Sequence, residues 1–408
     1  MEITIFKKNE IKQTFFENLF LYLVDSLDIC DSTSYNKLIR PEYGDFKSIN
    51  DTKRKIDSLS VVQERYRNNI VKYLHDYELL EVLCIKKVIS RSYFKLYEMI
   101  YHNPIILSDR LDCFFICEAP GGFIDCINDI RRKKNKHFDY LTTSINERNG
   151  IFYNPYVLSE NIMYHDITTL KNIELITKIT LNKFPDGVDL VTGDGGFDVK
   201  YFHAQEVISS KLLLSEIVLA LSIQKIGGTF VLKVFDMFTH NTNIFYLLLC
   251  SCYSHVKIIK PRASRYSNSE RYFVCHCFIG TNESLLVKLK RLISIFQQTN
   301  NTNEHVIIFP DFSFGKNNNL KEYYVSKISL FNNTFVKFQI KTIRDSIDII
   351  TKENCYFQNL LINVFENKGF LNYKNILREK INKCIMFLKE YNINTHYYKL
   401  SGNRSWNT

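Results

Sequence analysis

The sequence predicts an α/β protein built on a doubly wound sheet of seven strands whose last strand runs antiparallel, with a helical region before it and a mixed region after it. Between about residues 90 and 279, short apolar β-like runs alternate with helical stretches, the pattern of strands joined by crossover helices. Ahead of that span, from 13 to about 80, apolar residues recur at helical spacing, as at Phe15, Leu19 and Leu23 and again at Ile70, Tyr73 and Leu74. The 408 residues exceed what one hydrophobic core usually serves. A helical region 1–85, a sheet domain 86–280 and a basic accessory region 281–408 are therefore expected.

In chain order, polar breaks at 31–35 and 41–44 interrupt the N-terminal helices. The β-like runs follow at 113–117, 138–143, 161–164, 188–192, 229–235, 256–260 and 271–279, the last two close enough in the chain to pair antiparallel. Beyond Gly280 come an Asn-rich patch (Asn300, Asn301, Asn303 and Asn317, Asn318, Asn319), a β-like run at 306–309 and helical text at 376–391.

Composition narrows the class. With 45% hydrophobic and 24% charged residues the chain suits a folded globular protein and argues against wholesale disorder. The apolar stretches 212–223 and 244–256 are broken by Glu216 and by Ser251, Ser254 and His255, short of the roughly 18 uninterrupted residues of a membrane span. Lys7 and Lys8 have no apolar signal core after them, so a soluble, non-secreted, cytoplasmic protein without a membrane partner is expected. Eleven cysteines then read as reduced thiols. Cys250, Cys252, His255, Cys275, His276 and Cys277 fit neither common zinc spacing, and no metal site is expected. Of the net charge of +10, the stretch 281–408 carries +8, from 18 basic and 10 acidic residues. That excess either attracts RNA phosphates or solvates helices.

Five segments hold residues whose type asks for a task. Cys117-Glu118-Ala119-Pro120-Gly121-Gly122-Phe123 follows the first strand of the sheet domain and opens a helix, where paired glycines let a ligand approach the backbone and a helix start offers free N–H groups. It has neither the spaced glycines of a dinucleotide site nor the Gly-Lys-Ser/Thr of a phosphate loop. In Val188-Asp189-Leu190-Val191-Thr192-Gly193-Asp194-Gly195-Gly196-Phe197 a buried strand runs into Asp194 between glycines, a carboxylate aimed at the ligand crevice; Asp198 beyond reads as solvated. Lys233 lies deep in the apolar run 229–235, where a lysine demands a partner or a task. Arg262, Ser264 and Arg265 precede Glu270 in a linker suited to phosphate contact. Lys95 sits on a helix with Tyr93 and Phe94, before the first of the seven strands. A basic run, Arg131-Arg132-Lys133-Lys134-Asn135-Lys136, reads as a solvated loop or an RNA contact.

In identity and order these segments resemble the FtsJ-like (RrmJ-type) ribose 2′-O-methyltransferases, whose signature is a Lys-Asp-Lys-Glu tetrad, and the resemblance covers about residues 90–280. It implies a Rossmann-like methyltransferase sheet with Lys95, Asp194, Lys233 and Glu270 as catalytic residues. It also implies S-adenosylmethionine as cofactor, held by Glu118, Ala119, Pro120, Gly121, Gly122, Phe123 and Asp194, with Asp166 as an adenine contact. Arg262, Ser264 and Arg265 would hold the RNA backbone. Lys233 would be the base, with burial and Lys95 depressing its pKa while Asp194 and Glu270 raise it. One departure is that the second strand ends at Thr142, Thr143 and Ser144, without the acidic residue that often holds the cofactor ribose. The Glu-Ala-Pro-Gly-Gly-Phe and Asp-Gly-Gly wording looks most like the mRNA cap-modifying branch, which includes members from large DNA viruses. The implied reaction is methyl transfer to the first transcribed nucleotide of capped mRNA, with capping or transcription machinery as partners. A ribosomal or transfer RNA target, or a catalytically silent RNA-binding scaffold, are the alternatives.

Overall fold

Burial on both faces is why the central strands read as unbroken apolar runs, since no side of them has to meet water. The computed structural model describes residues 2–4, 28–31, 39–145, 152–196, 204–298, 305–308, 318–351 and 369–395. The helix expected around Phe15, Leu19 and Leu23, and Phe197, Asp198, Asn300, Asn301, Asn303 and Asn317, lie outside these residues. Among the described residues the strands are β1 (Glu2–Thr4), β2 (Asp28–Asp31), β3 (Asp112–Ile116), β4 (Asp139–Ser144), β5 (Ile162–Tyr164), β6 (Val188–Gly193), β7 (Gln224–Phe235), β8 (Tyr253–Ile259), β9 (Glu270–Phe278) and β10 (His305–Ile308).

Eight of them form one sheet in the order β1-β8-β9-β7-β6-β3-β4-β5, and β2 and β10 make a separate antiparallel pair. Strands β3 to β7 are parallel, while β9 is wedged antiparallel between β7 and β8. The seven expected strands are thus all present. An eighth, β1, joins antiparallel on β8.

Helices cover both faces. We number them α1 (Phe46–Asp57), α2 (Val61–Leu74), α3 (Ser92–Ile100), α4 (Gly122–Lys133), α5 (Leu170–Lys183), α6 (Ser210–Ile223), α7 (His240–Cys252), α8 (Glu283–Gln298), α9 (Asn318–Thr351) and α10 (Gly369–Glu390). Alternate strand residues sort into two cores, as the period of two along a strand requires. Phe114, Ile116, Phe230, Leu232 and Phe273 pack with α5, α6, α7 and α8, whereas Cys113, Phe115, Val231, Tyr272 and Val274 pack with α3, α4 and α10. Lys233, two residues after Val231, therefore emerges on the α3 and α4 side, at the C-terminal end of the parallel strands. Among the described residues no helix is long and apolar enough to cross a membrane.

Two helices beyond residue 280 pack directly against this sheet. Leu285, Leu289, Leu292 and Ile293 of α8 complete one core, and Cys384, Phe387 and Leu388 of α10 complete the other. Ile49 and Ile56 of α1 meet Val336 and Ile343 of α9 around Phe238 in a third cluster. Beside it lies a buried charge network. The Lys53 ammonium bonds the Asp236 carboxylate and, at 2.6 Å, Ser269 Oγ. Arg271 Nη2 lies 3.4 Å from Asp236 Oδ1, and its guanidinium also donates to Asn332 and stacks 4.5 Å from the Phe335 ring centroid. Burial pushes the Asp236 carboxyl up, but Lys53 and Arg271 hold it below the ordinary carboxylate range.

This network ties α1 and α9 to the ends of β7 and β9, so breaking it leaves buried charge uncompensated. Lys53→Met should lower the unfolding free energy by about 3 to 5 kcal/mol in a denaturant titration. A loss under about 1 kcal/mol would show that water reaches Asp236 and replaces the lysine.

Candidate active site

The turn after β3 is a bend that the chain fills from its own side. Gly121 has φ +112°, and a Cβ there would come 2.8 Å from Val157. A Cβ on Gly122 would lie 2.1 Å from both Ser90 Oγ and Ser92 Oγ, at the start of α3. Close ligand approach is the expected reason for both glycines. The chain itself supplies a second one: Gly121 has a left-handed backbone beside Val157, and Gly122 packs against Ser90 and Ser92. Glu118, buried beneath the turn, accepts the Phe123 N–H through Oε1 at 2.6 Å, while its buried Oε2 has no hydrogen-bond partner among the described residues. Burial and the nearby Asp194 push this carboxyl well above its ordinary value, against the Phe123 and Ile124 N–H groups and Lys233. A buried acid oxygen left without a partner suits a donor group on a ligand, such as the ammonium of the amino-acid end of S-adenosylmethionine. Phe123 is buried and its ring centroid lies 6.3 Å from that of Tyr272. Pro120 O accepts Asn154 N–H at 2.9 Å. Ala119 sits between Glu118 and Pro120, partly exposed.

The four tetrad residues meet at the C-terminal edge of the sheet. Lys95 Nζ of α3 bonds Glu270 Oε2 at 2.8 Å. Lys233 Nζ donates to the Asp194 carbonyl at 2.6 Å and lies 3.3 Å from Asp194 Oδ1. The antiparallel register of β7 and β9 delivers the rest: Lys233 faces Tyr272, and Phe235 faces Glu270. Tyr272 OH donates to Asp194 Oδ1 at 3.0 Å, so the aspartate is held from two sides. Sequence reasoning passed over Tyr272, although it lies two residues from Glu270 and so on the same face of the strand.

Burial lowers the Lys233 pKa, but Asp194, Glu270 and Glu216 outweigh it, and the net shift is upward. The depression expected from burial and Lys95 does not prevail, and the free chain carries this lysine protonated at neutral pH. Burial pushes the Glu270 carboxyl up while Lys95, Lys233 and Lys260 draw it down to about 2, so it stays ionised.

Other expected site residues are placed differently. Asp166, after β5, is exposed, and its Oδ1 accepts from the Thr168 N–H and hydroxyl at 2.8 and 2.7 Å. Arg262 donates to Glu98 on α3 and to both carboxylate oxygens of Glu390 on α10, and its guanidinium sits over the Phe387 ring at 4.9 Å. Arg265 makes two bonds to Glu78, at 3.0 and 2.6 Å. Ser264 is buried. Both arginines are thus neutralised by carboxylates of the same chain. Arg131 of the basic run is likewise internal, donating to the carbonyls of Ile106, Ser108, Asp109 and His137.

Residues 88–278 match the FtsJ-like methyltransferase family. Among curated proteins, the chain is 28% identical over 257 residues to the cap-specific mRNA (nucleoside-2′-O-)-methyltransferase 1 of Mus musculus, covering 59% of this chain and 30% of that protein. It is 33% identical over 190 residues to the protein of that name in Homo sapiens, covering 43% and 23%. With the one from Trypanosoma cruzi (strain CL Brener) the identity is 33% over 175 residues, covering 41% and 48%. The chain therefore spans half or less of the length of these relatives. Among solved structures, one described as a ribosomal RNA methyltransferase from Plasmodium falciparum is 20% identical with a TM-score of 0.38, covering 47% of this chain and 99% of that one.

Gly122→Val would drive a side chain into Ser90 and Ser92 and displace both the turn and the start of the helix that carries Lys95. S-adenosylmethionine affinity of the folded variant, measured by calorimetry, should fall about tenfold or more, the equivalent of one lost hydrogen bond or two. Unchanged affinity would mean that the turn is structural only.

Proposed function

We propose that the FtsJ-like methyltransferase domain at residues 88–278 transfers the methyl group of S-adenosylmethionine to an RNA ribose 2′-hydroxyl, and that its substrate is the first transcribed nucleotide of capped mRNA. The observation that carries this reading is the Lys233 amine held against Asp194 with the Lys95–Glu270 pair beside it, at the strand edge next to the Glu118 turn. That the curated relatives are cap-specific mRNA (nucleoside-2′-O-)-methyltransferases supports the capped substrate.

When bound, the cofactor supplies an electrophilic methyl group on a positively charged sulfur. Glu118 and the turn through Phe123 would hold its amino-acid end, and Asp166 would meet its adenine. A 2′-hydroxyl is a weak nucleophile near neutral pH, so its proton must be removed as the bond to carbon forms. Lys233 Nζ is placed to receive that proton once its own has left. Asp194 and Tyr272 fix the amine's direction, and Lys95 keeps Glu270 ionised beside it. A cation bound next to Asp194 would weaken that carboxylate's hold on Lys233 and lower the lysine's pKa toward its task.

Cytoplasmic location, membership of a capping or transcription assembly, and kinship with the large-DNA-virus members are parts of the same reading. RNA contact beyond the reacting nucleotide is assigned to the 281–408 excess charge, for example Lys321 and Lys337, which are exposed on α9, since Arg262 and Arg265 are paired internally. A ribosomal or transfer RNA target would give transfer to uncapped RNA instead, and a silent scaffold would give none.

The direct test is transfer of labelled methyl to capped against uncapped RNA, followed by nuclease mapping of the modified ribose. Label at the first transcribed ribose of capped RNA alone is expected. Lys233→Ala should cut turnover by about 100-fold or more with cofactor affinity unchanged. Retention of more than about a tenth of the rate would remove Lys233 as base.

The pH dependence follows from the sign of the Lys233 shift. Its pKa in the folded chain is raised, so the neutral amine becomes more abundant as pH rises through the neutral and mildly alkaline range. The kcat/KM for RNA should climb steadily from pH 6.5 to 9. A flat profile across that window would be incompatible with a general base of this pKa.

A further inference from the structure

Helix α6 is the most apolar segment covering the sheet, with Leu212, Leu213, Leu214, Ile217, Val218 and Leu219 all buried. Glu216 interrupts it. Its side chain is 1% exposed, and burying a carboxyl among leucines is costly unless the group is bonded to something that needs it. Its Oε1 accepts the N–H of Gly195, at 3.0 Å, and Gly195 immediately follows Asp194.

The glycines around Asp194 show how close this contact is. A Cβ on Gly195 would lie 2.6 Å from Glu216 Oε1 and 2.7 Å from Leu212 Cδ2, and a Cβ on Gly193 would lie 3.0 Å from the same oxygen. The space in which those side chains would stand is occupied by the carboxyl. Glycines on both sides leave the turn around Asp194 freer than flanking residues with side chains would, although the Asp194 N–H is tied to the Ile116 carbonyl at 3.2 Å. Yet the Asp194 carbonyl must meet Lys233 Nζ while its carboxylate meets Tyr272 OH. We propose that Glu216 is a positioning residue of the active centre: by clasping the Gly195 N–H it holds the Asp194 turn in the orientation that serves Lys233.

The charge balance around it agrees. The groups facing Glu216 are Lys233 on β7, Asp194 at the end of β6 and Cys117 after β3. Burial pushes the carboxyl up to about 8, Asp194 adds to this, and Lys233 and the Gly195 N–H oppose it. Glu216 is thus mostly protonated at neutral pH. Above about pH 8 it ionises and adds another negative neighbour to Lys233, which already faces Asp194 and Glu270. A carboxamide in its place keeps the acceptor for Gly195 and can never add that charge.

The inference rests on the methyl-transfer reading for its kinetic consequence, but the clasp itself is observable without turnover. Three full-length chains serve as the test: wild type, Glu216→Gln and Glu216→Leu, with glycine labelled for amide NMR. The Gly195 amide signal of the wild type should move with a midpoint near pH 8, stay fixed in Glu216→Gln, and in Glu216→Leu shift to an unbonded position with faster hydrogen exchange. In methyl-transfer assays Glu216→Leu should lose kcat by about tenfold or more with cofactor affinity within twofold, the scale of one unmade buried hydrogen bond. Glu216→Gln should keep most of kcat, and the rise of its rate with pH should move to lower pH. A Gly195 signal that ignores both pH and the leucine substitution overturns the clasp. So does a Glu216→Leu chain with wild-type kcat, or a Glu216→Gln chain as impaired as Glu216→Leu. Should wild type transfer no methyl to any RNA, the proposed function fails while the amide signal still decides the clasp.

Discussion

Two lysines and two carboxylates share one partly desolvated sheet edge, and each charge there is tolerable only because an opposite charge faces it. Lys95 answers Glu270 and Lys233 answers Asp194. In a low-dielectric setting such a set is cooperative in the strict sense: removing one member leaves its partner exposed to the full cost of burial. The scaffold is arranged to keep the set complete. Antiparallel β9 brings Glu270 opposite the end of β7, the turn after β6 presents Asp194 through its carbonyl as well as its carboxylate, and α3 carries Lys95 across the top. The catalytic reading depends on this mutual compensation more than on any one of the four groups.

Much of this was legible in the chain because the residues concerned are anomalous for their surroundings. A lysine inside a β-branched run and an aspartate between glycines stand out whatever the fold, and parallel strands buried on both faces announce themselves as apolar text. The three-residue strand β1 did not, because an edge strand is defined by the partner it meets 253 or more residues later and not by its own composition. Arg262 and Arg265 mark the same limit from the other side. In sequence they are indistinguishable from phosphate ligands. What decides their contacts is the arrival of Glu390, 128 positions away, and of Glu78, 187 positions away.

Two features carry more than their spacing shows. Glu216 breaks an apolar stretch, and a lone acid in such a helix is itself a sign of a bonded buried group. The glycines at 121 and 122, a turn type that leaves room for a ligand, also face Val157 and the Ser90–Ser92 pair, so the same residue type at the same turn serves internal packing as well. Spacing alone does not tell one crowding from the other.

The linker that delivers Glu270 has a further meaning. Its Arg262 is gripped by Glu390, its Arg265 by Glu78, and its Ser267 carbonyl accepts from Gln339 of α9. All three of those partners lie outside the family match at 88–278. The stretch that matches the family and the stretch that holds this linker in place are therefore different lengths of chain. The stretch of about 190 residues that matches the family is, in this molecule, an arch whose keystone is set by stones from both abutments. Divergence in the flanks would then reach the chemistry without touching a single residue of the tetrad.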